Sequence, residues 1–197
     1  MANQNSLYPK LYIASPFGFS EATRYFYEQV MLPMIEDIGY TILDPWALAP
    51  KDEIEKVTEM AHDLNRVIAW REINAEIGRR NTEAINTADA MIAVLDGTDP
   101  DSGTCGEIGY AAAQGKRILG YRGDFRQAGD NEGGLVNLQI EHFIRMTGGQ
   151  IVTDMVDLRE VATQMFVYLD KELGYNKKRR EWEKAAGWSP HYMPSPE

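Results

Sequence analysis

Residues 96–107 read DGTDPDSGTCGE, which places Asp96, Asp99 and Asp101 within six residues and Glu107 six residues after Asp101. Carboxylates crowded in this way repel one another, so one can have its pKa raised and hold a proton while a neighbour stays ionised. That combination suits glycosyl transfer, in which one carboxylate attacks an anomeric carbon and another assists the leaving group. Each residue also has a structural explanation. Asp, Gly, Pro and Ser are ordinary turn residues, which accounts for Asp96, Asp99 and Asp101 taken singly. Thr104 followed by Glu107 fits the S/T-x-x-E capping box. A helix starting near Thr104 puts Glu107 in its first turn, either as a cap or as a nucleophile kept ionised by the helix dipole. Spacing alone leaves these two roles level. A divalent-metal site ranks lower, because no His or second acidic cluster accompanies the carboxylates.

The elements that must position these residues alternate in type. LYIAS (11–15) is a short β-favouring run followed by the turn-forming PFGFSE. Apolar residues then recur at helical spacing from Glu21 to Ile38, with Pro33 as a kink and Gly39 as a stop. YTILDP (40–45) reads as a second strand, 51–87 as one or two helices, and AMIAVLD (90–96) as a strand buried on both faces that ends at Asp96. GEIGYAAAQ (106–114) reads as a helix stopped by Gly115, with small alanines that let it pack close to the sheet. A strand at RILGYRG, a partly helical 133–144, a short strand within 148–153 and a helix over 155–174 complete the pattern. From Tyr175 the sequence turns to charge and then to Pro and Ser, and is expected as an appendage outside the core, giving a domain over 1–174 and a tail over 175–197. Alternating strands and helices predict a single α/β domain, with a parallel sheet flanked by helices on both faces. In such sheets ligands bind beyond the carboxyl ends of the strands. The loop after LYIAS and the acidic stretch both fall there.

Composition excludes several partners. The 197 residues are 44% hydrophobic, enough for one substantial core, and carry a formal net charge of -10. An acidic surface disfavours nucleic acid and anionic membranes. The single cysteine, Cys105, forms no internal disulfide, which suits a reducing compartment, and no stretch approaches the roughly 18 apolar residues of a membrane span. The chain therefore reads as cytoplasmic.

Three blocks, LYIASPFGF, NTADAMIAVLDGTDPDSGTCGEIGYAAAQGK and GLVNLQ, resemble the nucleoside 2-deoxyribosyltransferase family in order and separation, over roughly residues 11–170. The D-x-G-T-x-x-E-x-G block is the most specific of them, with Gly103 inside it. The resemblance implies a flavodoxin-like fold and a retaining, two-step transfer without metal or organic cofactor. It places the nucleophile on Glu107, a base-contacting and proton-supplying aspartate on Asp101, and a tyrosine that orients the nucleophile on Tyr12. It implies that Asn137 and Gln139 bind the sugar 5′-hydroxyl from a neighbouring subunit of a homo-oligomer. Phe17 and Phe19 are candidates for stacking on the base, with Asp96 and Gly103 beside the substrate. Where the family carries a second base-contacting aspartate, this sequence has Asn81, an amide that hydrogen-bonds but supplies no acid proton.

The implied substrates are 2′-deoxynucleosides and free nucleobases. Without a 2′-hydroxyl there is less electron withdrawal at C1′, so an oxocarbenium-like transition state is reached more easily. Two alternatives stay open on sequence: a hydrolase of 2′-deoxynucleoside 5′-monophosphates, and a non-catalytic nucleotide-sensing module.

Overall fold

A computed structural model describes residues 7–185. Its five strands are β1 (Lys10–Ala14), β2 (Thr41–Leu43), β3 (Ala90–Val94), β4 (Arg117–Tyr121) and β5 (Ile151–Val152). They form one sheet in the order β2-β1-β3-β4-β5, parallel throughout. This is the flavodoxin-like strand order, in which the switch point for ligands lies between β1 and β3.

Helix α1 (Glu21–Phe26) runs through a π-helical turn at Tyr27–Met31 into α2 (Leu32–Ile38). The expected kink at Pro33 takes this form because proline brings no N–H to the helical ladder, and just before it Leu32 N–H reaches back five residues to Tyr27 O. Gly39 ends α2 at φ 110°, a left-handed conformation that glycine adopts without Cβ strain. The 51–87 region divides into α4 (Lys51–Glu59) and α5 (Leu64–Thr87), preceded by the short α3 (Pro45–Leu48). After β3 come α6 (Ser102–Ala113), α7 (Leu138–Met146), α8 (Met155–Glu172) and α9 (Tyr175–Ala185).

Alternation along the strands builds two cores. Leu11, Ile13 and Val94 face Met31, Ile35, Leu158 and Met165 on one side. Tyr12, Ala14, Met91 and Ala93 face Ile85, Ile108 and Ala111 on the other. All five residues of β3 are buried, as its unbroken apolar run predicts. Ile13 and Ile92 have no exposed surface, and each such side chain stabilises the fold by about 1.5–3 kcal/mol.

The region from Tyr175 differs from the expected appendage. Tyr175 is buried and donates to Asp89 Oδ2 at 2.9 Å, and Arg179 pairs with Asp170 at 2.6 Å and donates to Leu7 O at 3.1 Å. An aromatic anchor and a partly shielded ion pair hold α9 on the amino-terminal end of the sheet, so that part of the tail joins the core. The Pro- and Ser-containing end, 186–197, lies outside the described residues.

Candidate active site

The chain leaves β1 at Ser15 and β3 at Leu95, which opens the switch point between the two following loops. On the α5/α6 side, Tyr12 projects from β1 into the core with no exposed surface and donates its hydroxyl to Glu107 Oε1 at 2.6 Å. Asn81 Nδ2, from α5, donates to the same oxygen at 3.4 Å. Ile108, Ala111 and Ala112 bury one face of α6 against the sheet, which fixes where Glu107 projects.

The start of α6 corrects the expected capping. Asp101 is the N-cap, its Oδ2 accepting from Thr104 N–H at 2.9 Å and from the Thr104 hydroxyl at 3.3 Å. Thr104 is therefore inside the helix, and Glu107 sits in the second turn. The capping-box role falls away, and so does the dipole argument, because the dipole acts within the first turn. Burial instead raises the Glu107 pKa above the ordinary carboxylate range. The Tyr12 hydroxyl and the Asn81 amide pull it down, while the Asp101 charge pushes it up. Tyr12 is itself pushed far up, by burial first and then by the Glu107 charge, so it serves as a neutral donor. Gly103 lies within the first turn, where an added Cβ would come 3.0 Å from Asp101 Oδ2.

Opposite, on the α1 side, Phe17, Phe19, Phe26, Asp96, Tyr121 and Arg126 line a cleft of about 580 Å³. Asp96 Oδ1 accepts from Asp124 N–H at 3.0 Å. Burial raises its pKa, and the backbone N–H groups of Asp124 and Gly123 oppose the rise. Phe17 is buried, edge-on to Phe26, whereas Phe19 is 73% exposed and rests edge-on against Trp46. Of the two, Phe19 offers a ring to a ligand. The expected residues thus gather as two groups at the strand ends: Tyr12, Asn81, Asp101 and Glu107 in one, and Phe17, Phe19 and Asp96 in the other.

Asn137 and Gln139 join neither group. Asn137 caps α7, with Oδ1 accepting from Gln139 N–H at 3.0 Å and Nδ2 donating to Asp130 at 3.3 Å, and Gln139 is exposed. Among the described residues no cluster of His, Cys, Asp and Glu is arranged to hold a metal, and no helix is long and apolar enough to cross a membrane.

The family model described as nucleoside 2-deoxyribosyltransferase matches residues 11–142, a span containing β1, the Asn81 helix, the acidic loop and Glu107. The chain belongs to that family. Solved structures with the same fold include a 2-deoxyribosyltransferase from Leishmania mexicana, at 24% identity over 80% or more of both chains (81% of this one and 97% of that one), with a TM-score of 0.54. A 2-deoxyribosyltransferase from Bacillus psychrosaccharolyticus matches at 20% identity, covering 76% of this chain and 90% of its own, with a TM-score of 0.52. A conserved protein from Enterococcus faecalis V583 matches at 24% identity, covering 80% and 99%, with a TM-score of 0.58. No curated protein matches this chain.

Sequence reasoning missed several residues that shape this candidate site. Asp44 caps α3, accepts the Tyr27 hydroxyl at 2.8 Å and lies close enough to Tyr12 for its charge to raise the tyrosine. An Asp-Pro pair signals a cap and a first helical proline, which the reading of 40–45 as one strand passes over. Trp46 Nε1 donates to Ser15 O at 3.1 Å and lies under the 16–19 turn, where a Cβ on Gly18 would come 2.2 Å from its ring. Arg122, 2% exposed, clasps the loops after β3 and β4 by donating to Leu95 O, to Gly97 O at 3.1 Å and to Arg126 O at 2.7 Å. No sequence pattern marks an arginine just past a strand as buried.

Proposed function

We propose that the chain is a nucleoside 2-deoxyribosyltransferase, exchanging the base of a 2′-deoxynucleoside for a free purine or pyrimidine. The observation that carries this reading is the 2.6 Å hydrogen bond from buried Tyr12 to Glu107 Oε1. A short bond from a neutral phenol fixes one carboxylate oxygen and leaves the other, Oε2, to react. In the first step Oε2 attacks C1′, the C1′–N bond breaks, and the electron pair leaves with the base, which takes up a proton. In the second step a nitrogen of the incoming base attacks C1′ and gives up its proton by way of Asp101, which thereby regains the proton it passed to the departing base, and the C1′–Oε2 bond's electron pair returns to Glu107. Two inversions give net retention.

Asp101 Oδ2 is engaged by Thr104, so Oδ1 is the atom assigned to the departing base. Phe19 stacks on a base entering from the cleft. Asn137 and Gln139 serve a second copy's sugar, in a homo-oligomer whose sites are shared. The reaction as written uses a carboxylate nucleophile and a protonated leaving base, so it calls on no metal or organic cofactor. The reading also places the protein in the cytoplasm, in reuse of deoxyribonucleosides.

Incubation with deoxyinosine and free adenine tests it. Deoxyadenosine should appear by chromatography with wild type and be absent with Glu107→Ala. No exchange by wild type, or full exchange by the variant, sinks the reading. Release of free deoxyribose without an acceptor base would favour a hydrolase.

A further inference from the structure

We propose that Asn81 is a positioning residue for Glu107, supplying a second donor to Oε1, and does not read the base. The inference rests on Glu107 as the nucleophile. It sets aside the base-contacting role that the resemblance implies for this position.

Three features of the amide support it. Its Nδ2 reaches the oxygen that already receives the Tyr12 hydroxyl, so donors from α5 and β1 converge on Oε1. Its Oδ1 is shut away from solvent and has no partner among the described residues, so a base in the site does not reach it while the amide is held in this way. Turning the amide over would bring Oδ1 against Oε1, two acceptors face to face, so the chemistry dictates the orientation. An unmet buried acceptor is destabilising, and its retention beside a half-buried carboxylate fits a donor kept for that carboxylate.

Two donors on Oε1 constrain the carboxylate and leave Oε2 facing C1′. They act again when the ester breaks, since the returning negative charge is shared with Oε1. The charged and titratable groups facing Glu107 are Tyr12 from β1 and Asp101 ahead of α6, with Asp44 and Tyr27 next to Tyr12. Against that background Asn81 is a second neutral donor, after Tyr12, that lowers the Glu107 pKa without adding a charge.

The test uses full-length protein with Asn81→Leu and Asn81→Asp. The Glu107 carboxyl carbon is titrated by NMR, and the ratio of kcat/KM for adenine and cytosine as acceptors is measured with deoxyinosine as donor. Asn81→Leu should move the Glu107 titration up by about half a pH unit or more, and Asn81→Asp further because it adds a like charge. The adenine-to-cytosine ratio should stay within about threefold of wild type, since a lost base contact would alter discrimination by more than about tenfold. An unmoved titration, or a ratio altered beyond tenfold, overturns the proposal. If Asn81→Asp does not fold, Asn81→Leu decides alone. Because the titration needs no turnover, a wild type without exchange activity would sink the Glu107 mechanism and still leave this proposal measurable.

Discussion

Replacing Tyr12 by phenylalanine keeps the ring in its place in the core and deletes only the hydroxyl that meets Glu107 Oε1 at 2.6 Å. A hydrogen bond to a charged acceptor contributes about 1.5–3 kcal/mol, which corresponds to about 1–2 pH units at 1.36 kcal/mol per unit. The sign follows from the partner. The phenol donates to the ionised carboxylate, so its loss favours the protonated form, and the Glu107 pKa, already raised by burial, rises again. Only ionised Glu107 is a nucleophile. The acid limb of kcat for deoxyinosine–adenine exchange should therefore move up by about 1–2 pH units in Tyr12→Phe, while the rate on the alkaline side stays closer to wild type. Initial rates of deoxyadenosine formation across the acid limb give this directly. A uniform loss of rate with the limb unmoved would refute the reasoning, because it would mean that the hydroxyl does something other than hold the charge on Glu107.

Glu107→Gln should raise Tm at neutral pH while abolishing exchange, since it removes a carboxylate whose ionised form is disfavoured by burial. Because the folded pKa lies above the unfolded one, wild type holds this contribution at low pH and loses it as pH rises through the folded value, so the Tm gap should close on acidification; a gap that widens would contradict the pKa direction. Tyr175→Phe deletes the hydroxyl that donates to Asp89 Oδ2 at 2.9 Å, at the amino-terminal end of the sheet. It should cost about 1 kcal/mol, a fall of roughly 2–4 °C in Tm, and leave exchange kinetics unchanged; a kinetic defect would show that α9 influences the site.

The parts of this molecule that were legible in its sequence are those in which one local rule governs. The β3 run AMIAV is apolar at every position because both faces of the central strand are covered, and its burial follows from that alone. The pairing of Tyr12 with Glu107 was legible through the family resemblance, because it joins residues 95 positions apart and no periodicity links them. The start of α6 was misplaced for a physical reason. DSGT offers Asp101 and Thr104 as alternative caps, and the helix starts at the earlier one, where the Asp101 carboxyl accepts from Thr104 N–H and so draws Thr104 into the first turn. That choice moves Glu107 out of the first turn and hands control of its charge from the helix dipole to burial and two side-chain donors.

Polar groups wholly or partly withdrawn from solvent were the least legible. Arg122 and Asp44 carry charges that composition assigns to the surface, and only the three-dimensional arrangement shows the carbonyls and the phenol that compensate them. Asn81 is the sharpest case. Through the family resemblance it reads as a weakened base contact, whereas its position on α5, beside a carboxylate already held by Tyr12, favours an amide over an aspartate on electrostatic grounds. A second carboxylate there would face Glu107 across 3.4 Å with both groups partly desolvated, and one of the two would have to take up a proton. The departure at residue 81 is thus compatible with an ionised nucleophile in a way that the aspartate would not be in this arrangement.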